Sequence, residues 1–272
     1  MTMCKSDVAM NRRTTVYDLQ SQKGRKKWLQ IHVDNVDEAT AAVEAGITIL
    51  SCEPDHHFEA VRAAVPSAFL SVGMPHGAVA SPADAVRLGF EMMTRGADAV
   101  YCSHSPYFIE AMAREGIPVT GHVGLVPNRA TWTNFRAIGK TPDEALKVLQ
   151  SVRDLENAGA AAVEVEVVPV RLADHITRVT PMITMGMGCG SVCDTIYLFS
   201  SDVLGTHSGH YPRHSKKYAD FVHLEAELQN KRIAAFKAFV DDVADGGYPS
   251  ADHQLEMDDD AFDQFLDRSR SL

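Results

Sequence analysis

Two residues of this sequence place a side chain suited to proton transfer at the end of an apolar run. His122 lies in a Gly-His-Val-Gly segment, where flanking glycines let the backbone turn sharply and leave the imidazole accessible. Glu166 lies near the end of the apolar run 161–167, and Glu164 precedes it by two residues, on the same face of a strand. These positions indicate an acid–base pair. A core histidine and a buried ion pair are the alternatives.

The two carboxylates are expected to play different parts. A strand with helices on one side and a packed interior on the other has little room for two solvated acids. We therefore expect Glu166 to lie near the open end of the interior, with a raised pKa that suits a general base. Glu164, deeper along the strand, is expected to be structural.

The elements that must position these groups follow a regular order. Apolar, strand-like runs cover residues 28–33, 47–52, 69–72, 99–102, 119–123, 161–167, 183–187 and 195–199. Helical segments separate them, and Gly46, Gly96, Gly116 and Gly159 each stand where a helix C-cap needs a left-handed residue. Strands alternating with helices through short loops require a parallel sheet. The number of units predicts an α/β fold of the (β/α)8 TIM-barrel type.

The ends of the chain lie outside this alternation. Residues 1–13 are predicted to be a flexible leader, and a short helix follows from Thr14 with a threonine N-cap. After the eighth run we expect a C-terminal helical extension over about residues 218–243, and then an acidic tail, 258–272, with a short helix at 260–268. Residues 14–257 are expected to form one barrel domain with this C-terminal helix.

Composition limits the partners. The chain has 272 residues and a net charge of −10, which argues against nucleic acid or an anionic membrane as the main partner. No apolar run approaches the roughly 20 residues that span a bilayer. Five cysteines, an odd number, are simplest to explain as reduced thiols in a cytoplasmic protein. Cys189 and Cys193 lie four residues apart without a second such pair, so a structural zinc site is not expected.

Several motifs, taken together, resemble the ketopantoate hydroxymethyltransferase (3-methyl-2-oxobutanoate hydroxymethyltransferase) family of the phosphoenolpyruvate/pyruvate barrel superfamily. The resemblance covers about residues 14–257. The matching motifs are TVYDL (15–19), GIPVTGHVGLVP (116–127), FRAIGK (135–140), VEVVP (165–169), MGMGCG (185–190), KKYAD (216–220) and GYPSADH (247–253).

The resemblance implies a reaction and a set of roles. Members of the family bind an α-keto acid through a divalent metal, usually Mg²⁺, and a glutamate removes a proton beside the ketone. The enolate then attacks a one-carbon unit carried by methylenetetrahydrofolate. By position, Glu166 matches the base and His122 matches the active-site histidine. The family's stacked five-membered rings imply a homo-oligomer, a decamer.

The family's metal-binding positions are altered in this chain. The first metal-ligating aspartate corresponds roughly to residues 51–55, where only Glu53 or Asp55 is acidic. The second falls on Gly73. A Lys-Leu-Glu motif, which supplies a substrate lysine and a third acid, falls on Tyr101, Cys102 and Ser103. Because Mg²⁺ needs several hard oxygen ligands, the sequence predicts a divergent member with a rebuilt metal and anion site.

Two rebuilt sites are compatible with the sequence. Imidazole and thiolate groups that favour zinc or another transition metal stand near the ends of the apolar runs, at Cys52, His56, His76, Cys102 and His104. In the alternative, which the sequence slightly favours, no metal binds. Tyr101, Ser103 and His104 then hydrogen-bond the substrate oxygens, and Glu53 and His76 complete the substrate-binding set.

Three functions follow. The leading hypothesis is a hydroxymethyltransferase-like or aldol-type enzyme that makes or breaks a C–C bond next to the carbonyl of a small oxo-acid, with Glu166 as base. The second is a folate-independent lyase or hydrolase that acts on a different small oxo-acid. The third is a catalytically silent barrel that serves as a binding or assembly subunit.

Overall fold

The computed structural model describes residues 12–271 of the chain. The predicted leader, residues 1–13, therefore lies outside the described residues except for its last two positions. Strands and helices alternate from Trp28 onwards. The strands are β1 (Trp28–His32), β2 (Ile49–Cys52), β3 (Phe69–Gly73), β4 (Ala99–Tyr101), β5 (Val119–Gly124), β6 (Ala162–Glu166), β7 (Ile183–Met187) and β8 (Thr195–Phe199).

Helices precede, separate and follow the strands. They are α1 (Val16–Ser21), α2 (Val36–Glu44), α3 (Phe58–Ala64), α4 (Pro82–Arg95), α5 (Pro106–Arg114), α6 (Ala130–Thr133), α7 (Pro142–Asn157), α8 (Val170–Val179), α9 (Ser200–Leu204), α10 (Phe221–Ala244) and α11 (Asp259–Ser269). Short 3₁₀ turns cover Pro127–Arg129 and Ala251–His253.

The strands form a closed parallel barrel in chain order, in which β1 pairs with both β2 and β8. This confirms the predicted (β/α)8 architecture. The predicted helix ends are confirmed as well, because the four glycines proposed as C-caps all have positive φ angles, from 78° to 115°. The N-cap of α1 is Thr15, whose hydroxyl accepts a hydrogen bond from the backbone N–H of Asp18.

Apolar side chains fill two layers. One cluster packs between the barrel and the surrounding helices, with Leu70 and Ile109 fully buried. A smaller cluster fills the interior of the barrel around Trp28 and Phe69, and Leu19 of α1 belongs to it. Because the lower interior is packed with apolar side chains, the polar interior residues lie towards the carboxyl ends of the strands.

The chain forms two compact units, and the boundary lies between Ala219 and Asp220. The first contains the barrel. The second contains α10 and α11, whose bounds lie close to those predicted for the C-terminal helical extension and the tail helix. That residues 14–257 form one domain stays a prediction. Every helix among the described residues is too short or too polar to serve as a membrane span.

Candidate active site

A cavity of about 170 Å³ opens at the carboxyl ends of the barrel strands. Its polar lining includes three carboxyl groups, from Glu53, Glu164 and Glu166, and two imidazoles, from His32 and His122. No lysine or arginine lies among the described residues that line this cavity. Catalytic groups of (β/α)8 barrels come from this end of the strands, so the cavity is the candidate active site.

The centre of the cavity is the contact between His122 and Glu166, which the sequence predicted as an acid–base pair. Nε2 of His122 lies 3.1 Å from a carboxylate oxygen of Glu166, and the imidazole side chain is only 1% exposed. The ring N–H is not aimed well enough at this oxygen for a directed hydrogen bond, so Nε2 has no hydrogen-bond partner among the described residues. The pair is therefore a close electrostatic contact between Nε2 and the carboxylate.

The other ring nitrogen of His122 is held by β4. The hydroxyl of Tyr101 lies 2.5 Å from Nδ1, and the two rings are 5.7 Å apart at their centroids. Tyr101 lines the cavity, and the prediction that its hydroxyl binds a substrate oxygen stays a prediction. Burial raises the pKa of this phenol, so it stays protonated.

The backbone around Glu166 explains why the motif of β5 contains glycine. A Cβ atom at Gly124 would lie 2.1 Å from the carbonyl oxygen of Glu166, so only glycine fits there. That carbonyl accepts a hydrogen bond from the backbone N–H of Leu125. The next residue, Val167, has a φ of 49°, which is strained for a β-branched residue. Strain of this kind occurs at sites whose side chains must be held in one place.

Glu164 differs from its expected structural role. It is paired in register with His122, it lines the cavity, and it is 6% exposed. Burial, with a further contribution from Glu166, raises the pKa of Glu164 to about 7, although His122 and His32 act in the opposite direction. The raised pKa belongs to the carboxyl that the sequence expected to be structural. The reason is depth: Glu164 stands one pleat further inside the barrel.

The histidine between these carboxyls is biased towards its charged form. Burial by itself lowers the pKa of His122, but the nearby charges of Glu164 and Glu166 outweigh burial and raise it. The cluster therefore holds a buried imidazole and two carboxyls that compete for a small number of protons.

Of the remaining predicted substrate-binding residues, one lines the cavity and three do not. Glu53, directly after β2, lines the cavity. Ser103 does not, and its hydroxyl accepts a hydrogen bond from the side-chain amide of Asn128. His104 and His76 also lie outside the cavity lining and stack on each other, with ring centroids 5.2 Å apart. The prediction that these three residues contact the same substrate as Glu166 is not supported by their positions.

Neither metal site considered from the sequence matches the side-chain geometry. At the positions that the resemblance assigns to the family's Mg²⁺ acids, the chain has Glu53 or Asp55, then Gly73 and Ser103, so two of the three positions carry no carboxylate. The imidazole and thiolate set proposed for zinc does not converge. Among the described residues, the His, Cys, Asp and Glu side chains whose ligand atoms lie within 4.8 Å of one another are His122, Glu164 and Glu166. This group includes an imidazole, whereas Mg²⁺ prefers oxygen ligands throughout, so it does not fit the family's ion either.

Some residues of the cavity were not singled out from the sequence. His32 at the end of β1, Ser51 on β2 and Tyr197 on β8 all line it, and the hydroxyls of Ser51 and Tyr197 are 2.9 Å apart. Their signal was weak, because each is a polar side chain within an otherwise apolar run. Counting alternate residues towards the barrel interior would have found them.

Known proteins resemble this chain in sequence and in fold. A family profile described as Ketopantoate hydroxymethyltransferase matches residues 33–251. A 3-methyl-2-oxobutanoate hydroxymethyltransferase from Shewanella sp. (strain ANA-3) is 31% identical over 211 residues, which cover 76% of this chain and 77% of the relative. An enzyme with the same description from Pyrobaculum islandicum is 31% identical over 270 residues, covering 90% of this chain and 100% of the relative.

Among solved structures, 2,3-dimethylmalate lyase, a member of the PEP mutase/isocitrate lyase superfamily, shares the fold. The TM-score is 0.51 and the sequence identity is 13%, over 95% of this chain and 98% of the lyase.

Proposed function

This chain belongs to the ketopantoate hydroxymethyltransferase family, and from that premise we propose that it makes or breaks a C–C bond next to the carbonyl of a small oxo-acid by enolate chemistry. The observation that supports this most directly is the contact between His122 and Glu166 inside the cavity. Both residues match the family's acid–base positions, and both project from rigid strands rather than loops.

In this proposal Glu166 is the base. Its carboxylate takes the α-proton of the oxo-acid while the C–H electron pair moves towards the carbonyl oxygen, which gives the enolate. The proton stays on Glu166, beside His122, and passes to the leaving group of the donor as the new C–C bond forms. In the bond-breaking direction it returns from Glu166 to the α-carbon. Tyr101 keeps the imidazole in place through Nδ1. The α-carbon of the enolate forms the new C–C bond with the methylene carbon of methylenetetrahydrofolate, the proposed donor. The donor's C–N bonds break, water supplies the hydroxyl group of the product, and the α-proton and a proton of that water go to the nitrogens of tetrahydrofolate.

A second function is favoured by one specific observation. The β2–β4 strand ends lack the family's second and third acids and its lysine, so the oxo-acid is held differently from the family's substrate. A folate-independent lyase or hydrolase that acts on another small oxo-acid would use the same base and histidine. A requirement for folate in turnover separates the two functions.

The test is exchange of the α-proton for deuterium, measured by NMR with a panel of oxo-acids that includes 3-methyl-2-oxobutanoate. We expect exchange with at least one of them in wild-type protein and a loss of about a thousandfold in Glu166→Gln, because Gln has no basic carboxylate. Glu115→Gln, an exposed carboxyl after α5, is the matched control. Equal exchange in Glu166→Gln and wild type would overturn the base assignment. No exchange with any oxo-acid would favour the silent-barrel hypothesis.

Assembly and location are also part of the proposal. We propose a homo-oligomer, a decamer by resemblance to the family, in the cytoplasm. Free thiols at Cys52, Cys102, Cys189 and Cys193 agree with a reducing compartment. Sedimentation of the purified protein would test the assembly.

A further inference from the structure

The charges of the cavity and of its proposed substrate do not match. The lining holds three carboxyl groups, and no lysine or arginine lies among its described residues. An oxo-acid brings another carboxylate into a site whose interior is poorly solvated, where like charges repel strongly. The residues at the Mg²⁺ positions of the family do not supply a cation site that would offset this charge.

We propose that the Glu164 side chain is protonated, and therefore neutral, when the oxo-acid anion binds. Its O–H group donates a hydrogen bond to the carbonyl oxygen that becomes the enolate oxygen. This inference rests on the proposed function. It gives Glu164 a catalytic role in place of a metal ion. It also predicts that the protein takes up a proton when an oxo-acid binds from alkaline solution.

The position of Glu164 suits this role. Its register partner on β5 is His122, and its side chain shares the interior face of β6 with Glu166. The three groups place ligand atoms within 4.8 Å of one another. No hydrogen bond or ion pair holds the Glu164 carboxyl among residues 12–271, although it is 6% exposed. A buried carboxyl without a partner is costly when ionised and is available to a ligand when protonated.

The groups that face Glu164 across the cavity come from several strands. They are His32 on β1, Glu53 after β2, Tyr101 on β4, His122 on β5, Glu166 on β6 and Tyr197 on β8. The two imidazoles favour the ionised form, whereas the carboxylate of Glu166 and burial favour the protonated form. The balance puts the pKa of Glu164 at about 7. An incoming oxo-acid anion adds a further charge that favours the protonated form.

The proton balance of the reaction is simple. Above pH 7, the ionised Glu164 takes one proton from solvent as the oxo-acid anion binds. During enolisation Glu166 receives the α-proton, and Glu164 keeps its own proton while its hydrogen bond to the enolate oxygen shortens. A buried neutral carboxylic acid can stabilise an oxyanion in this way, as in the oxyanion hole of ketosteroid isomerase. No oxidant, metal or other co-reactant is needed.

The decisive measurement is the dissociation constant of 3-methyl-2-oxobutanoate, by calorimetry between pH 6 and pH 9. This acid is fully ionised throughout the range, so any pH dependence belongs to the protein. Wild-type protein should bind about tenfold more weakly for each pH unit above about 7, with uptake of about one proton. Repeating the titration in buffers of different ionisation enthalpy measures that uptake.

Two variants of Glu164 separate its charge from its hydrogen bond. Glu164→Gln resembles the protonated acid in shape and keeps an N–H donor, so its affinity should stay near the low-pH value of the wild type up to pH 9. Glu164→Val has no donor and should bind about tenfold or more weakly than the wild type at pH 6. His32→Asn removes an imidazole that favours the ionised form of Glu164, so it should move the onset of the pH dependence to higher pH while keeping the slope.

Other results overturn the inference. A wild-type affinity that does not change with pH, or a Glu164→Gln variant that keeps the wild-type slope, would show that Glu164 is not the group. The purified protein could also contain a stoichiometric divalent metal whose removal by chelation abolishes binding. That result would show that a cation, and not Glu164, stabilises the bound oxo-acid. If the wild type binds and exchanges the oxo-acid without a pH slope, only this inference fails. If it neither binds nor exchanges any oxo-acid, the proposed function fails as well.

Discussion

Two edges of the barrel mouth differ in how their polar residues are held. At the β5–β6 edge, defined by His122, Glu164 and Glu166, the groups project from paired strands and lie within 4.8 Å of one another. At the β2–β4 edge, defined by Glu53, Gly73 and Ser103, Glu53 is exposed and Ser103 bonds Asn128 outside the cavity.

The difference agrees with the division of the site that the resemblance to the family predicts. The backbone hydrogen bonds between paired strands fix the positions of acid–base groups on those strands, so these positions need only an intact barrel. A metal site needs several ligands from different strand ends, and the loss of one ligand weakens the binding of the ion. In the proposed correspondence with the family, the β5–β6 edge matches the acid–base residues and the β2–β4 edge does not match the metal-binding acids.

The largest expected effect comes from the histidine of the β5–β6 edge. His122→Gln should lower the rate of oxo-acid exchange about a thousandfold, because it removes the proton partner of Glu166. Ser103→Ala, at the other edge, should lower the rate less than about tenfold. Rates measured by NMR with both purified variants compare the two edges directly. Similar losses in both variants would contradict the division between them.

The next effect concerns stability. The pKa of Glu164 is raised from 4.5 to about 7 in the folded protein. The folded state therefore binds this proton more tightly, and the contribution to the free energy of unfolding is complete below pH 4.5 and is lost as the pH rises through 7. Glu164→Gln should therefore gain roughly 3 kcal/mol relative to wild type between pH 4.5 and pH 8.5. Urea unfolding at several pH values measures this gain. Glu115→Gln, the exposed control, should show no such trend.

A smaller effect concerns Mg²⁺ binding at the β2–β4 edge. A Cβ atom at Gly73 would lie 3.4 Å from a carboxylate oxygen of Glu53, so a side chain can begin there without a close clash. The variant Gly73→Asp, which adds a second carboxylate beside Glu53, should acquire Mg²⁺ affinity in the millimolar range. A concentration ten times the dissociation constant would then stabilise the protein by about 1.4 kcal/mol. Thermal melts with and without Mg²⁺ test this, and an unchanged melt would show that the edge has lost more than its acids.

The smallest expected effect concerns the residue between the two edges. Tyr101→Phe removes the hydroxyl that contacts Nδ1 of His122 but keeps the ring. Loss of one neutral hydrogen bond should cost about 1 kcal/mol, a roughly fivefold lower exchange rate. Tyr107→Phe, an exposed phenol at the start of α5, is the matched control. A thousandfold loss would mean that Tyr101 itself transfers a proton.

Local sequence patterns predicted much of the fold. The alternation of apolar runs with helices and the glycines that end those helices predicted the barrel, because caps and strand patterns act over a few residues. The same patterns placed His122 and Glu166 at strand ends. They also placed Glu164 and Glu166 on one face, since side chains of a strand alternate.

Contacts between strands could be decided only by the tertiary structure. Depth inside the barrel decides that Glu164 carries the raised pKa, because burial depends on how all the strands close around it. Packing beside β4 turns Ser103 and His104 away from the cavity, although Tyr101 on the same segment enters it. The sequence by itself determined which strand each chemical group stands on. The register, depth and closure of the barrel decided which of those groups meet.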